Sequence, residues 1–178
     1  MTESDRKPFL YVVVCAAGIA VDVGTLITAA QERDWEVGVI ATPLAMNGFF
    51  DTEAVRTQTG RPLRSAWRRP DEPRPFPAPD ALVLAPATFN TVNKWAAGIA
   101  DTLALGTLCE VAGLGVPIAV PPCVADALAA HPAYRESVAR LRGMGVRFAD
   151  PYGGQAGEDG GRPRSGWERA LDLLEDRH

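Results

Sequence analysis

Histidine is nearly absent from this chain. Of two in 178 residues, His131 is internal and His178 is the last residue. A Ser/His/Asp triad would have to use His131, and no G-x-S-x-G accompanies it, which argues against a serine hydrolase. Cysteine is sparse too. Cys15, Cys109 and Cys123 are odd in number and widely spaced, which argues against a disulfide framework. With so few histidines beside them, no metal site is expected. No apolar run reaches the roughly 18 residues that a membrane span needs. Met1 to Lys7 is polar, so a signal peptide is not expected, and a cytoplasmic location follows. The formal net charge of −4 offers no basic face for nucleic acid. Arg61, Arg64, Arg68, Arg69 and Arg74 do cluster, but Asp71, Glu72 and many prolines interleave with them, as in a solvated loop. The dinucleotide fingerprint G-x-G-x-x-G is missing as well.

What is present is a chain that is 47% apolar and long enough for one domain with a real core, expected to span 1–178. Its most informative stretch runs from Asp80 to Leu103. Ala81 to Ala85 is a short, continuous apolar run, the pattern of a parallel strand buried on both faces. Pro86 ends it. Thr88, Asn90 and Thr91 follow as small polar groups before Val92 to Ala97, which reads as the start of a helix, with Asn90 a candidate N-cap. The carboxyl end of a strand therefore meets the amino end of a helix. In open parallel sheets ligands bind at that junction, because unpaired N–H groups and the positive end of the helix dipole face outward together.

The rest of the chain repeats the alternation. Phe9 to Cys15 predicts the first, central strand, after a polar tail over 1–8. Ala16, Ala17 and Gly18 are small enough for the backbone to approach a phosphate, and a helix is expected from about Ile19 to Arg33. Trp35 to Ala41 predicts a second strand with Thr42 at its carboxyl end. Asn47 to Phe50 leads into a helix ending near Thr59. Arg61 to Pro79 reads as an extended connection with one short strand near Leu63 to Trp67. Val116 to Val120 is another buried strand, Val124 to Arg142 a helix interrupted at His131-Pro132, and Gly145 to Ala149 the last strand. A glycine-rich loop over 152–166 precedes a closing helix over 167–176, with Leu171 and Leu174 on its inner side. The expected fold is α/β, a Rossmann-like, flavodoxin-related three-layer arrangement around a parallel sheet.

Pro86-Ala87-Thr88-Phe89-Asn90-Thr91, followed by Lys94, Ala96, Gly98, Asp101 and Leu103, resembles the P-A-S-A-N-T…K…A…G…D-N-L signature of the homo-oligomeric flavin-containing cysteine decarboxylases. That family includes phosphopantothenoylcysteine decarboxylases and enzymes that decarboxylate the C-terminal cysteine of peptide precursors. The resemblance implies FMN as cofactor, a small-molecule or peptide substrate, and assembly into homotrimers, sometimes grouped into dodecamers. It implies that Asn90 hydrogen-bonds the substrate carboxylate, with Pro86, Ala87, Thr88, Phe89 and Thr91 around the flavin. Thr42 would face the ribityl-phosphate tail. The loop Ala17-Gly18-Ile19 would hold the phosphate, with Ile19 standing where the family has a serine.

Three departures accompany the match. At the spacing of the family's catalytic histidine stands Glu72. The clamp P-x-M-N-x-x-M-W falls on Pro122 to Ala129, with Ala125 in place of its asparagine and His131 close by. The flap, Ala156 to Arg162, keeps its glycines and Arg162 but lacks a cysteine. The expected function is therefore a flavin-dependent decarboxylase with Asn90, and less directly Glu72, in the chemistry. Ala125, His131 and Arg162 would lie on the substrate side. A catalytically divergent FMN-binding interaction protein and a flavin oxidoreductase acting on another small molecule are the alternatives.

Overall fold

The computed structural model describes residues 6–149 and 165–175. β1 (Phe9–Val14) is followed by a 3-10 helix at Gly18–Asp22, α1 (Val23–Gln31), β2 (Glu36–Ala41), α2 (Thr52–Thr59), β3 (Ala81–Leu84), α3 (Phe89–Ala96) and α4 (Leu103–Gly113). Then come β4 (Ile118–Val120), α5 (Asp126–Ala129), α6 (Pro132–Gly143), β5 (Arg147–Phe148) and α7 (Ser165–Glu175). The strands form one sheet in the order β2-β1-β3-β4-β5, every pair parallel. This is the expected α/β arrangement, and β1 is interior as its apolar run required.

Side chains alternate across a strand, so β1 feeds two cores. Leu10, Val12 and Val14 pack on one face with Leu26 and Ile27 of α1, Val55 of α2, and Trp167, Leu171 and Leu174 of α7. Phe9, Val13 and Cys15 pack on the other with Val92 and Trp95 of α3, Leu105 and Leu108 of α4, and Leu141 of α6. Burial on both faces is why the strands read as continuous apolar runs.

The structure departs from expectation at element ends. The helix expected from Ile19 begins instead with a 3-10 turn, Ala20 N–H bonding Ala17 O at 2.9 Å, before α-helical geometry starts at Val23. It ends before Arg33, with Asp34 in the left-handed region at φ 64°. β4 is bracketed by Pro117 and Pro121, which cannot donate to a ladder, and keeps three residues. The strand expected near Leu63 to Trp67 is reduced to one parallel bridge, in which Arg64 exchanges bonds with Val39 O and Ala41 N. Pro62 just before it supplies no N–H. The interruption at His131-Pro132 occurs as expected, with Pro132 in the first turn of α6.

Beyond that bridge the proline-rich connection lays Phe76 against Phe9 and Tyr11, ring centroids 5.9 and 5.7 Å away. Tyr11 Oη donates to Pro77 O at 2.7 Å and pins it there. Gly38 of β2 lies beneath these rings, and a Cβ on it would sit 2.9 Å from Phe9 Cε1 and 3.1 Å from Phe76 Cδ2. Any side chain there overpacks the cluster. Gly38→Val is expected to cost about 1–3 kcal/mol of unfolding free energy, measured by denaturant titration. A variant as stable as the parent would mean the connection is free to lift away.

Candidate functional site

The chain leaves β1 toward β2 on one side and reaches β3 on the other. The carboxyl ends of β1 and β3 therefore flank the point where strand order reverses, which is where open parallel sheets form their ligand crevice. Backbone bonds beyond the strand ends fix the loops around it. Thr42 N–H bonds Val14 O at 2.9 Å, Ala85 N–H bonds Val13 O at 2.8 Å, and Cys123 N–H bonds Ala87 O at 2.9 Å.

On the β3 side, Thr88 is extended and its hydroxyl accepts from Thr91 N–H at 3.4 Å, which makes Thr88 the N-cap of α3. Thr91 is nearly buried, with its hydroxyl 3.1 Å from that of Thr88. From β1, the Cys15 thiol donates to Thr91 Oγ1 at 3.2 Å. Capping, one of the two roles open to Asn90, therefore belongs to Thr88, and the helix starts at Phe89. Asn90, the second residue of α3, is exposed, and its amide takes no part in the cap. It is free to meet a ligand while Thr88 and Thr91 hold the helix start.

On the β1 side, Ala17 is extended and Gly18 opens the 3-10 turn. Ile19 is half-buried and packed against the core. Gly18 is exposed, and a Cβ built on it meets nothing within 4 Å. The outward side-chain position of this loop is thus Gly18, not Ile19. Thr42 uses its hydroxyl to accept Ala45 N–H at 3.3 Å, closing the turn after β2.

The residues expected on the substrate side are distributed unequally. His131 caps α6 through Nδ1, which accepts Ala133 N–H at 3.1 Å. Its ring meets Phe89 edge-on at 5.8 Å, and Phe89 stacks on Tyr134 at 5.8 Å and 18°. The first residue of α3 thereby ties His131 to the β3 end. Ala125 is exposed at the start of α5. Glu72 is engaged elsewhere: its carboxylate takes Arg69 N–H at 3.0 Å and Arg69 Nε at 3.4 Å within the proline-rich connection, and its carbonyl takes Arg68. No bond links it to Thr88, Asn90 or Thr91. Arg162 and the flap lie outside the described residues.

Two residues were missed from sequence. Tyr134, one helical turn after His131, could have been found from that spacing. Cys15 could have been found only from the strand's facing, which the pairing register sets. Burial pushes the Cys15 thiol pKa up, so it is neutral, and burial raises the Tyr134 phenol likewise. Cys15, Thr42, Thr88, Asn90 and Thr91 thus line the strand ends with neutral donors and acceptors. Such a set suits a planar ligand that carries its own charge and reactivity. Among the described residues no group of His, Cys, Asp or Glu could hold a metal ion, and no helix is long and apolar enough to cross a membrane.

Residues 1–173 match the family described as Flavoprotein. The chain is 29% identical over 175 residues to the coenzyme A biosynthesis bifunctional protein CoaBC of Mycobacterium bovis, covering 92% of this chain and 40% of that protein. It spans less than half the length of the curated relatives it matches. Among solved structures it is similar to a mutant PPC decarboxylase complexed with pantothenoylaminoethenethiol, with TM-score 0.77, 20% identity, and coverage of 97% of this chain and all of the other. It is also similar to the FMN-dependent cysteine decarboxylase SpaF, with TM-score 0.69, 23% identity, and coverage of 92% and 97%.

The division of labour at the α3 start can be tested on stability alone. Thr88→Ala removes the cap and should cost about 0.5–2 kcal/mol. Asn90→Ala should leave the melting temperature of the ligand-free protein nearly unchanged, since Asn90 is not the cap. Equal losses in both would return capping to Asn90.

Proposed function

The chain belongs to the Flavoprotein family, and we propose that it binds FMN at the β1/β3 crevice and decarboxylates a substrate ending in a cysteine-derived carboxylate. One observation carries this reading: Asn90 stands exposed on the first turn of a Thr88-capped helix, across the crevice from a loop left open at Gly18. The residues fit the group. Open space at Gly18 admits a phosphate to the backbone N–H groups of a turn whose first donors have no partner within the turn. Uncharged side chains around the α3 start leave room for a ring system, and the helix's positive end favours negative charge on it.

When bound, FMN supplies the hydride acceptor that makes loss of the neighbouring carboxylate easy. The chain's own residues bind and orient. Asn90 donates from its amide to the substrate carboxylate. Thr88 and Thr91 keep that amide at the helix start, and Thr42 borders the phosphate side. Phe89, stacked on Tyr134, presents an apolar wall toward the substrate, with His131 and Ala125 beyond it. Ala125 cannot make the polar contact of the family's clamp asparagine, so carboxylate recognition rests on Asn90. The protein acts as a homo-oligomer, in which a neighbouring subunit closes the crevice.

A second reading has its own support. Glu72, at the spacing of the family's histidine, is held by Arg69, so a proton-transfer group is not evident at the strand ends. An FMN-binding interaction protein would need none, and losing such a group costs about 10²–10⁴-fold in rate.

The expected results are as follows. Denatured holoprotein releases FMN, and a preparation that stays colourless after incubation with excess FMN ends the reading. Asn90→Asp binds flavin and a carboxylate ligand about tenfold more weakly, since it sets charge against charge and loses the amide's donors. Carbon dioxide released from a cysteine-ended peptide supports the decarboxylase, whereas its absence from flavin-loaded protein favours the interaction protein. Light scattering near the 19.0 kDa of one chain would contradict the assembly.

A further inference from the structure

The two loops of the crevice are joined by one sulfur. Cys15 is the last residue before Ala16-Ala17-Gly18, is 1% exposed, and faces the α3 side of the sheet. Its thiol donates to Thr91 Oγ1 at 3.2 Å. Thr88 lies beside the same sulfur. Thr88 and Thr91 are in turn bound to each other, hydroxyl to hydroxyl at 3.1 Å and N–H to hydroxyl at 3.4 Å. The triangle joins the exit of β1 to the first turn of α3.

We propose that Cys15 is a positioning residue for the ligand site: it latches the Thr88–Thr91 turn to the β1 exit and so sets the spacing between the Asn90 amide and the backbone of Ala17 and Gly18. The proposal rests on the flavin reading above. A ligand that spans the crevice needs both loops at a fixed separation, and each loop alone is a turn that can shift by tenths of an ångström. Sulfur suits the task because its long bonds and large radius let one atom reach several partners of the turn. The thiol is buried and protonated, so it keeps its donor through neutral pH. It makes no contact with the ligand itself and takes no part in proton transfer.

Packing alone is the competing explanation, and three substitutions separate the two. Cys15→Val keeps most of the volume and removes the donor. Cys15→Ser keeps a donor and acceptor in a slightly smaller group, and Cys15→Ala removes both. Each is measured for FMN dissociation constant, for the visible circular dichroism of bound flavin, and for melting temperature and amide exchange at Thr91 and Val92 in flavin-free protein. Cys15→Val is expected to bind FMN roughly tenfold more weakly, with an altered flavin dichroism band and faster exchange at both amides. Cys15→Ser should stay within about twofold of the parent, on the same ground that it keeps the hydrogen bond. Variants that lose melting temperature while keeping affinity, dichroism and exchange would reduce Cys15 to packing and overturn the latch. If the parent itself binds no FMN, the flavin reading fails on that result. The latch is then decided by exchange, where faster exchange in Cys15→Val but not in Cys15→Ser supports it and equal rates overturn it.

Discussion

The start of α3 is where the structure's requirements meet. An α-helix leaves its first N–H groups without partners in the helix, and this one begins directly behind a buried strand where water has little access. Thr88 supplies one acceptor, Thr91 is bound in return, and Cys15 braces Thr91 from the end of the neighbouring strand. Because these three serve the helix from within, Asn90 need not. A polar amide is left exposed at the positive end of a helix, beside the point where strand order reverses. Everything proposed for function depends on that separation between residues that build the turn and the residue that the turn displays.

The sheet order makes the display possible. With β1 between β2 and β3, the loops after β1 and β3 diverge onto opposite faces and cannot close over each other. The cores on the two faces hold the strands, so loop positions at the carboxyl ends are set in part by side chains at the other end of β1, such as Phe9 and Leu10. The crevice residues are neutral, which shifts the burden of charge and reactivity to whatever binds there. A cofactor with its own phosphate and its own electron chemistry meets that condition.

Much of this was legible in the sequence, and the failures have physical causes. Doubly buried strands announce themselves as apolar runs, so β1, β2 and β3 were placed to within a residue or two, and Pro132 marked the break before α6. Whether Asn90 caps the helix stayed open in the sequence because threonine and asparagine both cap well, and only backbone conformation distinguishes Thr88 from Asn90. The sequence does not show which way Ile19 points; its apolar body packs against the core and Gly18 is exposed. Cys15 read as one more core residue, since its partners are 73 and 76 positions away along the chain. The bridge at Arg64 shows the opposite error, in which a β-like segment lacked the donors to become a strand.

A crystal structure of the protein grown with FMN tests the central claim most directly. The account predicts the phosphate against the backbone of Ala17, Gly18 and Ile19, and the ring system beside Thr88 and Asn90, with the Cys15 to Thr91 contact retained. FMN bound away from the β1/β3 crevice, or a phosphate that avoids the open position at Gly18, would contradict it.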